Sequence, residues 1–159
     1  MKHIALVIGL MLLSFAVPVS AQTLTDSQKA DIEKAVKEQV AQYFRTVDTM
    51  DVDAALKLWS REKLIAQVAS GRVVPSIETM TTNWKNAFAN RKTHHFEIQD
   101  VMVRVFSPDT ALAICSGSFR NELKSGNISN YNYVATMIWT KDTSGWKVAY
   151  LGESSVAKQ

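Results

Sequence analysis

One cysteine, three histidines, three prolines and six glycines in 159 residues remove several classes of protein at once. A single thiol cannot close an intramolecular disulfide, so no disulfide scaffold is available. Cys115 follows Leu112-Ala113-Ile114, an apolar setting in which a buried, inert thiol is expected rather than a nucleophile. Glycine and proline are too sparse for a low-complexity segment or an interdomain linker, and no internal repeat is present. The formal charge of +3 includes Lys2, and acidic and basic residues alternate without collecting on one face, which excludes the footprint of a nucleic-acid-binding protein.

Long apolar runs are also missing. Ile4 to Val17 spans about fourteen residues, short of the roughly twenty that a membrane-crossing helix needs. Lys2 before that run, with Pro18 and Val19-Ser20-Ala21 after it, forms the signature of a secretory signal peptide over residues 1–21, cleaved after Ala21. Gln22 stands where a lipoprotein would carry cysteine. The expectation is an exported chain, periplasmic or secreted, with no stable membrane insertion after cleavage. Residues 22–159 suit one domain with one core.

What is present is periodicity. Ile32, Val36, Val40, Tyr43, Phe44 and Val47 recur at steps of three and four, predicting a helix that starts at a Thr25 or Asp26 cap and ends near Thr49. Asp51 or Asp53 caps a second, short helix that turns Val52, Leu56 and Trp59 inward. Leu64 to Val74 is mostly extended, either a strand pair around Gly71 or a helix end plus a strand. Ser76 caps a third helix carrying Ile77, Met80, Trp84 and Phe88, with Asn90-Arg91-Lys92 at its polar end. After Thr93 the period becomes two. A long strand with a phase slip near Asp100 predicts a bulge. Further strands from Ala111 to Glu122, Tyr131 to Lys141 and Trp146 to Gly152 follow across short turns. Helices grouped ahead of strands joined by short turns mean α+β with an antiparallel sheet.

Several stretches, in order, resemble the nuclear-transport-factor-2-like (SnoaL-like, ketosteroid-isomerase-like) superfamily. They are Phe44 to Trp59 around Asp51-Val52-Asp53-Ala54-Ala55-Leu56, the turn Ser107-Pro108-Asp109-Thr110-Ala111, and the ending Trp139 to Val148 with Ser154 or Ser155 after it. The likeness covers Asp26 to Ser155. It implies a cone in which three helices close over a strongly curved antiparallel sheet, a mostly apolar pocket, and a homodimer through the outer sheet face. It does not fix an activity, since members include isomerases, cyclases and dehydratases as well as binders.

Ketosteroid isomerases use a helix-one tyrosine, an aspartate base and a buried neutral carboxylic acid. The resemblance brings Tyr43 to the tyrosine position and Gln67 to the base, where glutamine cannot accept a proton. The strand Tyr131 to Lys141 has no acid before its end. Where other members carry last-strand histidines, this chain reads Tyr150-Leu151-Gly152-Glu153. His94 and His95, adjacent in a strand, point to opposite faces and cannot share one metal, so neither a metal nor a cofactor is expected. Arg120 and Glu122 share a face, with Asn132 on the next strand. The expected function is therefore a non-catalytic domain that binds a small apolar ligand or presents an interaction surface, or else purely an assembly module. The alternative is an isomerase, dehydratase or hydrolase using Tyr43 and Glu153 or Glu122, which requires one carboxylate inside the pocket with a raised pKa. Candidate pocket residues are Tyr43, Trp59, Trp84, Phe88 and Phe119 from the helices and early strands. Tyr133, Met137, Trp139 and Tyr150 complete the set from the later strands.

Overall fold

A computed structural model describes residues 23–158, so the expected signal peptide over residues 1–21 and its expected cleavage after Ala21 lie outside the described residues. Helix α1 (Asp26–Asp48) opens on a capping box, in which Thr25 Oγ1 accepts from Gln28 N at 3.2 Å while Gln28 Oε1 accepts from Thr25 N at 2.9 Å. Its stripe buries Val36, Val40, Tyr43, Phe44 and Val47. Met50 takes a positive φ of 57°, and Asp51 then caps α2 (Val52–Leu56) through Ala54 N at 2.9 Å. Strands β1 (Ala66–Ala69) and β2 (Arg72–Val74) form a hairpin. Ser70 and Gly71, with φ of 50° and 72°, place positive φ at both central positions, the conformation that suits a two-residue turn to strand twist. Helix α3 (Ile77–Ala89) is capped by Ser76.

The four long strands are β3 (Arg91–Ser107), β4 (Thr110–Leu123), β5 (Ile128–Asp142) and β6 (Gly145–Ala157). They run antiparallel in a six-stranded sheet of order β2-β1-β6-β5-β4-β3, the α+β cone implied by the resemblance. The sheet is mixed, because β1 joins β6 in parallel, with Ala66 opposite Tyr150. Strand β3 begins at Arg91 rather than after Thr93, since Arg91 already pairs with Leu123. The register shift between Ile98 and Asp100 falls where the phase slip predicts a bulge.

Gly117 sits opposite that bulge. A Cβ on it would collide with the Glu97 carbonyl oxygen and lie 2.9 Å from Ile98 Cα, both backbone atoms held by pairing. Gly117→Ala therefore lowers stability by about 1–3 kcal/mol. Urea unfolding reads this as a lower midpoint at an unchanged slope; an unshifted midpoint would show that β3 can yield.

One end of the cone is filled. Trp139, Met80, Met137, Leu151, Val36 and Val40 are among its fully buried side chains. Cys115 is buried with them, and burial pushes its thiol up to about 12. Trp59, Met137 and Trp139, expected on a pocket wall, belong to the buried core instead, where Tyr43 of α1 meets the Trp59 and Trp139 rings edge-on at 6.4 Å and 6.5 Å. Tyr150 also leaves the expected wall. A shift of register between Ile138 and Trp139 sets Tyr150 opposite Ile138, away from the inward Met137 and Leu151 pair, with its ring over Gly152.

Candidate active site

The open end of the cone begins at the free edge of β3. Edge strands leave backbone donors unpaired, and the last residue of α1 supplies an acceptor. Asp48 Oδ1 accepts from Phe96 N at 2.9 Å and lies 3.3 Å from His94 Nδ1, while Oδ2 lies 3.0 Å from His95 Nδ1. Strand alternation separates the histidines as expected. The His94 side chain is 5% exposed and the His95 side chain 73%. They nonetheless converge on one carboxylate, 46 and 47 positions away in the chain. A carboxylate can only accept, so the His94 nitrogen facing Asp48, Nδ1, carries a proton, and in the neutral tautomer Nε2 is the acceptor nitrogen. The ring is fixed by Phe119, stacked at 5.7 Å and 14°, and by Phe96 at 4.6 Å.

Glu153 approaches from β6. It pairs with Ala135 on the inward side of the sheet, and its Oε2 accepts from Tyr133 Oη at 3.0 Å. Burial raises its carboxyl above the ordinary range, against the smaller opposing effects of the Tyr133 hydrogen bond and the Arg91 charge. Burial, followed by the Glu153 charge, also lifts the phenols of Tyr43 and Tyr133 well above their usual value.

A carboxyl whose pKa is higher folded than unfolded adds most to stability while protonated, and that contribution is lost as pH rises through the folded value. Glu153→Gln keeps an acceptor for Tyr133 without a charge to bury. The variant should melt above wild type at pH 8, with the gap closing toward pH 4. A variant that melts lower at pH 8 would mean that the ionised carboxylate is favoured in place.

Gln67 on β1 is 5% exposed and accepts from Trp84 Nε1 through Oε1 at 3.1 Å. Indole can only donate, so this bond fixes the amide and turns its NH₂ to the hollow. Gln67 cannot be a base, but it can donate to a developing oxyanion.

Two adjoining cavities of about 510 Å³ and 330 Å³ share Ser70, Arg91, His94, Phe96, Tyr133 and Glu153. Tyr43, Gln67, Trp84 and Phe88 line the larger, and Phe119 the smaller. Trp59, Met137, Trp139 and Tyr150 line neither. Glu122, the other carboxylate considered, is held outside by Lys92 Nζ at 2.7 Å, and that bond keeps its carboxyl below the usual range. Arg120 is exposed, and Asn132 borders a separate shallow hollow with Gln99 and Val156. Among the described residues, no three His, Cys, Asp or Glu side chains come together as a metal site.

The sequence model of the SnoaL-like domain matches residues 36–158. Among curated proteins, none matches. Solved structures share the fold at low identity. An NTF2-like superfamily protein from Salmonella enterica serovar Typhimurium LT2 superposes with a TM-score of 0.73 at 13% identity, over 82% of this chain and 94% of that one. The hexachlorocyclohexane dehydrochlorinase LinA-type3 from Novosphingobium barchaimii LL02 gives 0.71 at 14%, over 84% and 93%. A ketosteroid isomerase-like protein from Erwinia carotovora atroseptica SCRI1043 gives 0.66 at 16%, over 79% and 96%.

Proposed function

This chain belongs to the SnoaL-like domain family, and we propose that it is a proton-transfer enzyme of the lyase or isomerase kind, acting on a small molecule with an apolar body. The observation that carries the reading is that the Asp48-bound His94 and the buried Glu153 open onto the same hollow. The preference for a non-catalytic binder rested on empty base and acid positions. What favours the catalytic alternative is its own stated requirement, a carboxylate inside the pocket with a raised pKa, which Glu153 meets.

In this mechanism His94 Nε2 takes a proton from a substrate carbon. Asp48 holds the ring in the correct tautomer and stabilises the imidazolium that forms. The electron pair of the broken C–H bond moves toward a neighbouring carbonyl, whose oxygen receives a hydrogen bond from the Gln67 amide. In an elimination, protonated Glu153 gives its proton to the leaving group as that bond breaks and a C=C bond forms. Solvent then returns the proton from His94 to Glu153. In an isomerisation the proton goes back to a different carbon. Dehydrochlorinase and isomerase-like names among proteins of the same fold accord with this chemistry but belong to those proteins.

Further readings accompany it. Met102, Ile114, Val134 and Val156 stand exposed on the outer sheet face, which supports a homodimer through that face. The leader signature supports export to the periplasm or beyond.

The test is NMR in D₂O with β-hydroxy ketones and β,γ-unsaturated ketones of aromatic or alicyclic body, each used with and without a carboxylate on that body. Protein-dependent deuterium uptake or elimination is expected with at least one probe and should be strongly reduced in Glu153→Gln. No turnover of any probe, or turnover undiminished in the variant, overturns the proposal.

A further inference from the structure

Arg91 lines both cavities yet takes no part in the proton transfers above. It follows α3 directly and opens β3, so pairing with Leu123 places it at the rim between helix and sheet. Its guanidinium lies 5.4 Å from the centroid of the Phe88 ring. Among the described residues it forms no ion pair and no side-chain hydrogen bond. Glu153, the carboxylate whose charge it feels most, is beyond ion-pair distance and is already engaged by Tyr133. A half-buried guanidinium thus faces a hollow with its donors unmet.

We propose that Arg91 anchors a carboxylate of the substrate, so that the molecules taken by this site are small aromatic or alicyclic carboxylic acids bound as anions. The inference rests on reading the hollow as a substrate site. An unpaired cation withdrawn from water is costly, and a bound anion would offset that cost. The planar fork of arginine matches a carboxylate through two parallel hydrogen bonds, whereas a lysine offers only a point charge. Phe88 holds one face of the guanidinium, which leaves its N–H edge free for such a pair. Val47, Val74, Trp84 and Phe96 supply apolar wall for the body of the ligand. Burial lowers the Arg91 pKa, as expected of a cation short of counter-charge. Protonation of Glu153 fits the same picture, since two neighbouring ionised carboxylates would repel.

Calorimetric titration with 3-phenylpropionate and with 3-phenylpropionamide tests this without any need for turnover. Wild type should bind the carboxylate about 10-fold or more tighter than the amide, the usual worth of a charge-assisted pair. Arg91→Gln should bring that ratio close to one, and Arg91→Lys should keep part of it. Circular dichroism checks that both variants fold, and the wild-type ratio stands without them. An amide that binds as well as the acid, a ratio that survives in folded Arg91→Gln, or no binding of either probe at millimolar concentration overturns the anchor. Deuterium uptake without acid preference would sink the anchor alone. Acid preference that depends on Arg91, with no uptake, would sink the enzyme reading and leave the anchor standing.

Discussion

Replacing His94 by glutamine lowers turnover by about 10²–10⁴-fold, the usual contribution of a positioned general base. Glutamine can still donate to Asp48 and fill most of the space between Phe96 and Phe119, but it cannot take up a proton near neutral pH. The loss should therefore appear in kcat more than in ligand affinity. Asp48→Asn is a milder lesion. The amide oxygen can still accept from Phe96 N and His94 Nδ1, but the charge that stabilises the imidazolium is gone. A charge-assisted hydrogen bond exceeds a neutral one by about 1–1.5 kcal/mol, so roughly a tenfold loss is expected. His95→Ala provides the contrast. Its ring touches the same carboxylate from the solvent side, and its removal should leave turnover unchanged. Steady-state kinetics of the three variants on whichever probe is turned over decides the matter. Equal losses for His94 and His95 would make Asp48 a structural clasp on the strand edge and nothing more.

Trp139→Ala should be the most damaging change to the fold, at about 3–5 kcal/mol. Trp139 is fully buried, meets Tyr43 edge-on at 6.5 Å and lies at the packed end of the cone. Alanine there leaves a void bounded by paired strands and by α1, neither of which can close it. For a domain of this size the thermal midpoint should drop by roughly 10–20 °C. Trp139→Phe keeps most of the volume and also removes an indole N–H that has no partner among the described residues, so its cost should be far smaller. Calorimetric melts of the two variants separate volume from polarity. A loss below about 1 kcal/mol for the alanine variant would mean that this end is loosely packed.

Much of the fold could be read from spacing, because its signals are local. The α1 stripe, the caps at Thr25, Asp51 and Ser76, the Asp142-Thr143-Ser144-Gly145 turn and the bulge near Asp100 each depend on a few neighbouring residues. The parallel pairing of β1 with β6 depends on segments about eighty residues apart and leaves no local trace. The site was less legible for the same reason. Glu153 could be named as a candidate from its place at the end of the last-strand stretch Tyr150-Leu151-Gly152-Glu153, whereas Asp48 meets His94 only once α1 lies across the edge of β3. One signal was available. An acidic residue closing a helix opposes the dipole at that end, and such a misplacement asks for a compensating partner. Aromatic residues misled for another reason, since inward parity is the same at the filled and hollow ends of the cone. Met137 and Trp139 could not be told apart from Tyr133 by spacing alone.

The turn at Ser70 and Gly71 borders both cavities but belongs to the outermost strand pair. Strand β2 pairs with β1 alone, and β1 reaches the long strands through three residue pairs with β6. Exchanges at this tip leave the alignment of β3 through β6 untouched while reshaping the doorway to His94 and Glu153. Selectivity and foldability are thus written in different parts of the chain, and a lineage could alter what it admits without relearning how to fold.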